Sequence, residues 1–201
     1  MARCFVLYVI RHLPTSGNEQ KKYIGWTNEP MIPTQRMLGS FPFKPSSVYC
    51  SDLIRAKETA ALYFPEREYL PNAAFRECHF GDFEGKTYAD LENDQDYRNW
   101  IEDPLTYTPR GGESLEAVRI RVLQALKLLP GGAALVTHGG PIRIILSTFS
   151  KDQKNFWSWH VPHGSVWKLT WQNEQAFEEG EQCTSISAVP ITENGNTSKI
   201  G

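Results

Sequence analysis

The sequence predicts a layered α/β fold, on three observations. Phe5-Val6-Leu7-Tyr8-Val9-Ile10 and Ala133 to Thr137 are short unbroken apolar runs, as in strands buried on both faces. Leu115, Val118, Val122, Leu126 and Leu129 recur at steps of three and four, the stripe of a helix that packs one face on a core. Strand-like and helix-like segments alternate along the chain.

The length of 201 residues favours one domain, expected over residues 1–190, with a frayed tail over 191–201 where apolar side chains are scarce. Apolar residues at 40% and charged residues at 22% exclude a disordered or fibrous chain. A chain of this size buries a core without disulfides or a structural metal. A net charge of -2 excludes a strongly basic nucleic-acid footprint but leaves room for a local basic pocket. Cys4, Cys50, Cys78 and Cys183 form no C-x-x-C pair, which fits buried free thiols in a reducing compartment. The apolar run near the N-terminus is too short for a signal peptide or a membrane span. The expectation is a soluble cytoplasmic protein with no nucleic-acid or membrane partner, acting as a monomer or homodimer.

Taken in order, the first strand stops at Arg11-His12-Leu13-Pro14. Thr15 to Pro33, with its Ser, Asn, Gly and Pro, reads as a loop or lid. Ser47 to Cys50 is a short strand. Ser51 or Asp52 then caps a helix that runs to about Phe64 and is stopped by Pro65. Leu70 to Gly85 is irregular, and Thr87 to Ile101 forms short helical pieces ahead of Pro104. Ser114 opens the striped helix, which Pro130-Gly131-Gly132 ends. The second buried strand runs into His138-Gly139-Gly140. Pro141 suits the first position of a helix reaching about Phe149. Ser165 to Trp171 alternates like a half-buried strand, and Thr184 to Val189 suits an edge strand.

Two strands thus end in histidine, at His12 and at His138. In open α/β sheets, ligands bind outside the carboxyl ends of the strands. His138 precedes a helix N-terminus, whose free N–H groups and positive dipole end suit an anion. Arg11 adds a guanidinium. Two imidazoles and an arginine around a phosphate-like anion follow from this placement.

Several blocks carry a family resemblance. Val9-Ile10-Arg11-His12, with Thr15 and Asn18, resembles the opening motif of the histidine phosphatase superfamily, which includes the phosphoglycerate mutases. Tyr23 to Met31 is similar to that family's Gly-Trp-x-Asp-x-Pro-Leu stretch. Ser51-Asp52-Leu53-Ile54-Arg55-Ala56-Lys57-Glu58-Thr59-Ala60 resembles its Ser-x-x-x-Arg-x-x-x-Thr-Ala helix. Arg76 to Gly85 resembles the block with its acidic residue. Gly111-Gly112-Glu113-Ser114 and Val136-Thr137-His138-Gly139-Gly140 complete the set, in family order from Val9 to Arg143. Leu13-Pro14 departs from the pattern, which has glycine after the histidine.

The resemblance implies a three-layer α/β/α sandwich with a mostly parallel central sheet, and a phosphatase acting on a small phosphorylated metabolite without a cofactor or metal. His12 is then the nucleophile that forms a phosphohistidine. Arg11 and Arg55 clamp phosphoryl oxygens. His138 holds an equatorial oxygen as imidazolium, Asn18 donates an amide hydrogen, and Gly25 and Gly139 line the substrate site. Glu77 is the general acid and then the base, with Asp82 and Glu84 as rivals. Read from the residues alone, Arg55 suits an ion pair with Asp52 or Glu58, and Asn18 an Asx-turn. His79, His160 and His163 lack the companions of a metal site. Two alternatives stand beside the phosphatase. One is a cofactor-dependent phosphoglycerate mutase, disfavoured by the short stretch from Lys86 to Pro109. The other is a non-catalytic phospho-ligand sensor, suggested by Leu13-Pro14.

Overall fold

The computed structural model describes residues 3–33, 41–152 and 154–191. Six strands form one sheet: β1 Phe5–Arg11, β2 Val48–Cys50, β3 Tyr69–Pro71, β4 Ala134–Thr137, β5 Val166–Trp171 and β6 Ser185–Val189. Their spatial order is β3-β2-β4-β1-β5-β6. β3, β2, β4 and β1 are mutually parallel, whereas β5 is antiparallel to both of its neighbours. The sheet is therefore mixed, with β5 the strand that runs against the rest.

Helices α1 Ser16–Glu19, α2 Ile54–Tyr63, α3 Tyr88–Leu91, α4 Gln95–Glu102, α5 Leu115–Leu126, α6 Gly139–Phe149 and α7 Glu174–Glu178 surround it. β1 alternates its side chains between two cores. Phe5, Leu7 and Val9 pack with the α5 stripe and with Ile142, Ile145 and Leu146 of α6. Ile10 joins Ala56, Ala60 and Tyr63 of α2 on the opposite face. This is the expected three-layer sandwich. A smaller cluster of Phe83, Leu91, Tyr97 and Trp100, joined by Tyr23, ties α3 and α4 to the segment after α1. Burial of Leu115, Val118, Val122 and Leu126 accounts for the clean helical signal of α5, which ends at Leu126 and not at Pro130; Leu129 is buried just beyond it.

Local chemistry departs from expectation at several points. Leu53, not Ser51 or Asp52, is the N-cap of α2, and it has no side-chain cap. Asp52 is drawn away by Arg76 at 2.6 Å, and Asn28 supplies the missing acceptor to the Ile54 amide at 2.8 Å. Pro141 occupies the third position of α6, since the helix begins at Gly139. The loop from Thr15 contains α1, closed by a Thr15–Asn18 capping box. β3 overlaps the start of the stretch expected to be irregular; Pro71 is tolerated there because β3 is an edge strand. α7 has only five residues, too few to show a helical period. Cys50, Cys78 and Cys183 are buried free thiols, while Cys4 is exposed. Among the described residues no helix is long and apolar enough to cross a membrane. The tail expected over 191–201 lies outside the described residues, apart from Ile191.

Candidate active site

The parallel pairing of β1 with β4 sets Arg11 opposite Thr137, so the next residues, His12 and His138, leave the sheet side by side. The His12 amide continues the ladder to the Thr137 carbonyl at 2.9 Å. The two rings meet edge to face with centroids 4.9 Å apart.

His12 is buried. Its Nδ1 lies 2.6 Å from the Leu13 carbonyl oxygen. A carbonyl can only accept, so Nδ1 carries the proton and Nε2 keeps its lone pair. Pro14 restricts Leu13 to extended backbone, and the Leu13 amide donates to Thr59 Oγ1 at 3.0 Å. Leu13 packs with the α2 core, so the departure from glycine is absorbed by packing. Burial, then Arg55 and His163, hold the His12 pKa well below the usual value; the Leu13 bond opposes them.

His138 is the N-cap residue of α6 and is fully buried. Neither of its ring nitrogens has a hydrogen-bond partner. Buried polar atoms are normally paired, so this ring is left for a ligand to satisfy. Burial first, then Arg55, His12 and Arg11, depress its pKa well below the usual value. Without an anion, these surroundings favour the neutral ring; the imidazolium was expected with phosphate bound. A dianion beside it would reverse that balance.

Arg11 spends Nη1 on the Val161 carbonyl at 2.6 Å, while its buried Nε has no partner. Burial lowers its pKa to about 10, with Glu77 acting against and Arg143 and Arg55 adding to the shift. Arg55 is fully buried and donates to the carbonyls of Gly25 at 2.7 Å, Thr27 at 2.8 Å and Ile24 at 3.4 Å. Its Nε is unpartnered. It pairs with neither Asp52 nor Glu58, because Asp52 holds Arg76 and Glu58 accepts the Met31 amide. A β-carbon placed on Gly139 would lie 3.1 Å from Arg143 Nη1 and 3.4 Å from Arg11 Cζ. Two guanidiniums thus flank the first residue of α6.

Glu77 reaches the same helix end. Its Oε2 accepts the Gly140 amide at 3.0 Å and its Oε1 accepts the Cys78 amide at 3.0 Å. The rival carboxylates are committed elsewhere. Glu84 takes the amides of Gly25, Trp26, Thr27 and Phe80 and the Thr27 hydroxyl. Asp82 is exposed and faces Arg110. Asn18 accepts the Thr15 amide through Oδ1, which leaves its Nδ2 hydrogens available. Gly25 is a different matter. Its amide is held by Glu84 and its carbonyl by Arg55, and a β-carbon would fall 2.1 Å from the Cys78 carbonyl oxygen. Close packing, not a free donor, explains glycine there in this state.

Sequence reasoning missed two residues. Arg143 lies one helical turn beyond Gly139, and its Nε donates to the Trp159 carbonyl at 3.1 Å. His163 packs on His12 from the far side, with ring centroids 5.0 Å apart. Arg143 was legible as position i+4 on α6; His163 had no local signal, because it reaches the site through β5. Among the described residues no three His, Cys, Asp or Glu side chains are arranged to hold a metal ion.

Residues 7–181 match the histidine phosphatase superfamily, branch 1. The chain belongs to that superfamily. An adenosylcobalamin/alpha-ribazole phosphatase from Salmonella typhimurium is 27% identical to it over 79% of this chain and 86% of that protein. A 2,3-bisphosphoglycerate-dependent phosphoglycerate mutase 2 from Gloeobacter violaceus is 28% identical over 70% of this chain and 74% of its own. Among solved structures, a phosphoglycerate mutase from Thermus thermophilus superposes with a TM-score of 0.68 at 27% identity, covering 93% of this chain and 99% of that one. The family match contains the ends of β1 and β4 and both strand-end histidines.

Proposed function

We propose that this histidine phosphatase hydrolyses a phosphomonoester of a small metabolite through a phosphohistidine on His12. The observation that carries the reading is the tautomer of His12: Nδ1 is fixed on the Leu13 carbonyl at 2.6 Å, so the buried Nε2 is a neutral nucleophile. Arg11, Arg55, the amide of Gly139 at the start of α6 and the unpartnered His138 ring supply the charge stabilisation that phosphoryl transfer chiefly requires. Asn18 Nδ2 adds a donor. Glu77 protonates the leaving oxygen and then activates water. No step calls on a metal. The buried thiols fit a cytoplasmic protein, and nothing in the charge balance calls for a nucleic-acid or membrane partner. The Salmonella typhimurium relative named as a phosphatase supports hydrolysis.

The test is phosphate release in chelator from a panel holding an aryl phosphate, 3-phosphoglycerate, phosphoserine, sugar phosphates and a ribazole-type nucleotide. Release from one or more supports the reading. Isomerised 3-phosphoglycerate without release makes the protein a mutase, and binding without turnover makes it a sensor.

A further inference from the structure

His163 Nδ1 lies 3.1 Å from the carbonyl oxygen of His12. The oxygen accepts, so Nδ1 donates. His12 therefore stands between two imidazoles of different standing. The His138 ring makes no hydrogen bond to protein, while the His163 ring is bonded to the main chain of His12 itself.

The neighbouring backbone is fully tied. The Arg11 carbonyl takes the Gly164 amide at 3.0 Å, and the His12 amide binds Thr137. The Leu13 amide binds Thr59, and the Leu13 carbonyl takes the His12 ring proton. The His12 carbonyl completes this set, and its donor is His163. That carbonyl belongs to the peptide joining His12 to Leu13. Rotation of this peptide would move Leu13, the residue whose carbonyl sets the His12 tautomer. The chain beside His163 is closely packed. Gly164 follows it at φ +76, and a β-carbon there would meet Tyr63 Oη at 2.8 Å and Leu13 Cδ2 at 3.2 Å.

We propose that His163 is a positioning residue for the reaction: its bond to the His12 carbonyl holds the His12–Leu13 peptide in the orientation that keeps Nδ1 protonated and aims Nε2 at phosphorus. The inference rests on His12 being the nucleophile. The charged and titratable groups around His163 are Arg11, Arg55 and His12. Burial first, then Arg11, with the bond to His12 opposing, lower its pKa to about 4. It thus remains a neutral donor near pH 7 and adds no charge beside the nucleophile.

The experiment compares wild type with His163→Asn and His163→Phe. Asn carries an amide N–H near the place of Nδ1, and Phe keeps a ring without a donor. Steady-state constants on an aryl phosphate are measured together with the single-turnover rate of phosphohistidine formation. Phe should slow phosphohistidine formation and kcat by about 10- to 100-fold while KM moves less than about twofold, and Asn should recover most of the loss. Thermal melting of each variant separates misfolding from misplacement. Wild-type rates in the Phe variant, or an Asn variant as slow as Phe, overturn the inference. Wild-type protein that forms no phosphohistidine overturns instead the assignment of His12 on which it rests.

Discussion

Arg121 and Glu113 form a two-point ion pair, Nε to Oε1 and Nη2 to Oε2, both at 2.9 Å. The same guanidinium donates to the carbonyls of Ala74, Arg76 and Glu77 at 2.8–2.9 Å. All five N–H donors of Arg121 are used, and three of them hold the segment that delivers Glu77. Glu113 adds an acceptor for the His79 amide. Lysine cannot reproduce this fork. Arg121→Lys should destabilise the fold by about 2 kcal/mol in denaturant unfolding. It should also lower kcat for substrates that need an acid more than for those that do not. Equal kcat losses on both would mean that Arg121 does not act through Glu77.

Glu77→Gln isolates the acid itself. The amide cannot donate a proton to a departing alkoxide, but a nitrophenolate leaves unaided. An alkyl phosphate should therefore slow by about 100-fold or more, and a nitrophenyl phosphate far less. The ratio of the two kcat/KM values is the readout. Uniform slowing would return the role to Asp82, whose carboxylate is exposed. Glu84 is the weaker rival, since five donors already hold it.

Arg55→Lys tests the clamp on the loop. One ammonium cannot hold the carbonyls of Ile24, Gly25 and Thr27 and also present a fork to phosphate. KM for an aryl phosphate and the inhibition constant for inorganic phosphate should both rise by about 10-fold or more. Unchanged phosphate inhibition would assign Arg55 to the loop alone.

The buried histidines tie stability to pH. His12 and His138 have folded pKa values well below the unfolded value near 6.5, and burial is the main cause in both. Above that unfolded value both states are neutral and stability is flat. As pH falls below it, the unfolded chain takes up protons that the native state refuses, so stability falls. Each such histidine contributes at most about 1.4 kcal/mol per pH unit. His163 adds to the slope until its own folded value of about 4. Urea midpoints should hold from pH 8 to 7 and drop from 6.5 to 5, with a shallower drop in His138→Asn. A flat profile across that interval would contradict the neutral, buried assignment.

The pairing of His12 with His138 was legible because two apolar runs end in histidine, and parallel strands bring their carboxyl ends together. The apolar stripe of α5 was legible for the same kind of reason, since burial leaves a period in the sequence. What was not legible depends on partners distant in the chain. The cap of α2 comes from Asn28, because Asp52 is held by Arg76. Glu84 stood as a rival acid because a carboxylate that serves loop amides reads no differently from one that serves a substrate. His163 enters through β5, a strand whose antiparallel docking on β1 no local pattern specifies. The charge state of His138 depends on its full burial beside two guanidiniums and on the anion it meets, none of which a local pattern shows.

Phosphoryl transfer to His12 Nε2 is open to direct observation. The most direct test is rapid acid-free quenching of wild-type protein with an aryl phosphate in chelator, followed by mapping of the phosphorylated residue. Transient phosphohistidine should appear at His12, formed no more slowly than turnover, and none in His12→Ala, which should fold and melt like wild type. Turnover retained in His12→Ala, or stable labelling at another residue, would contradict transfer to His12.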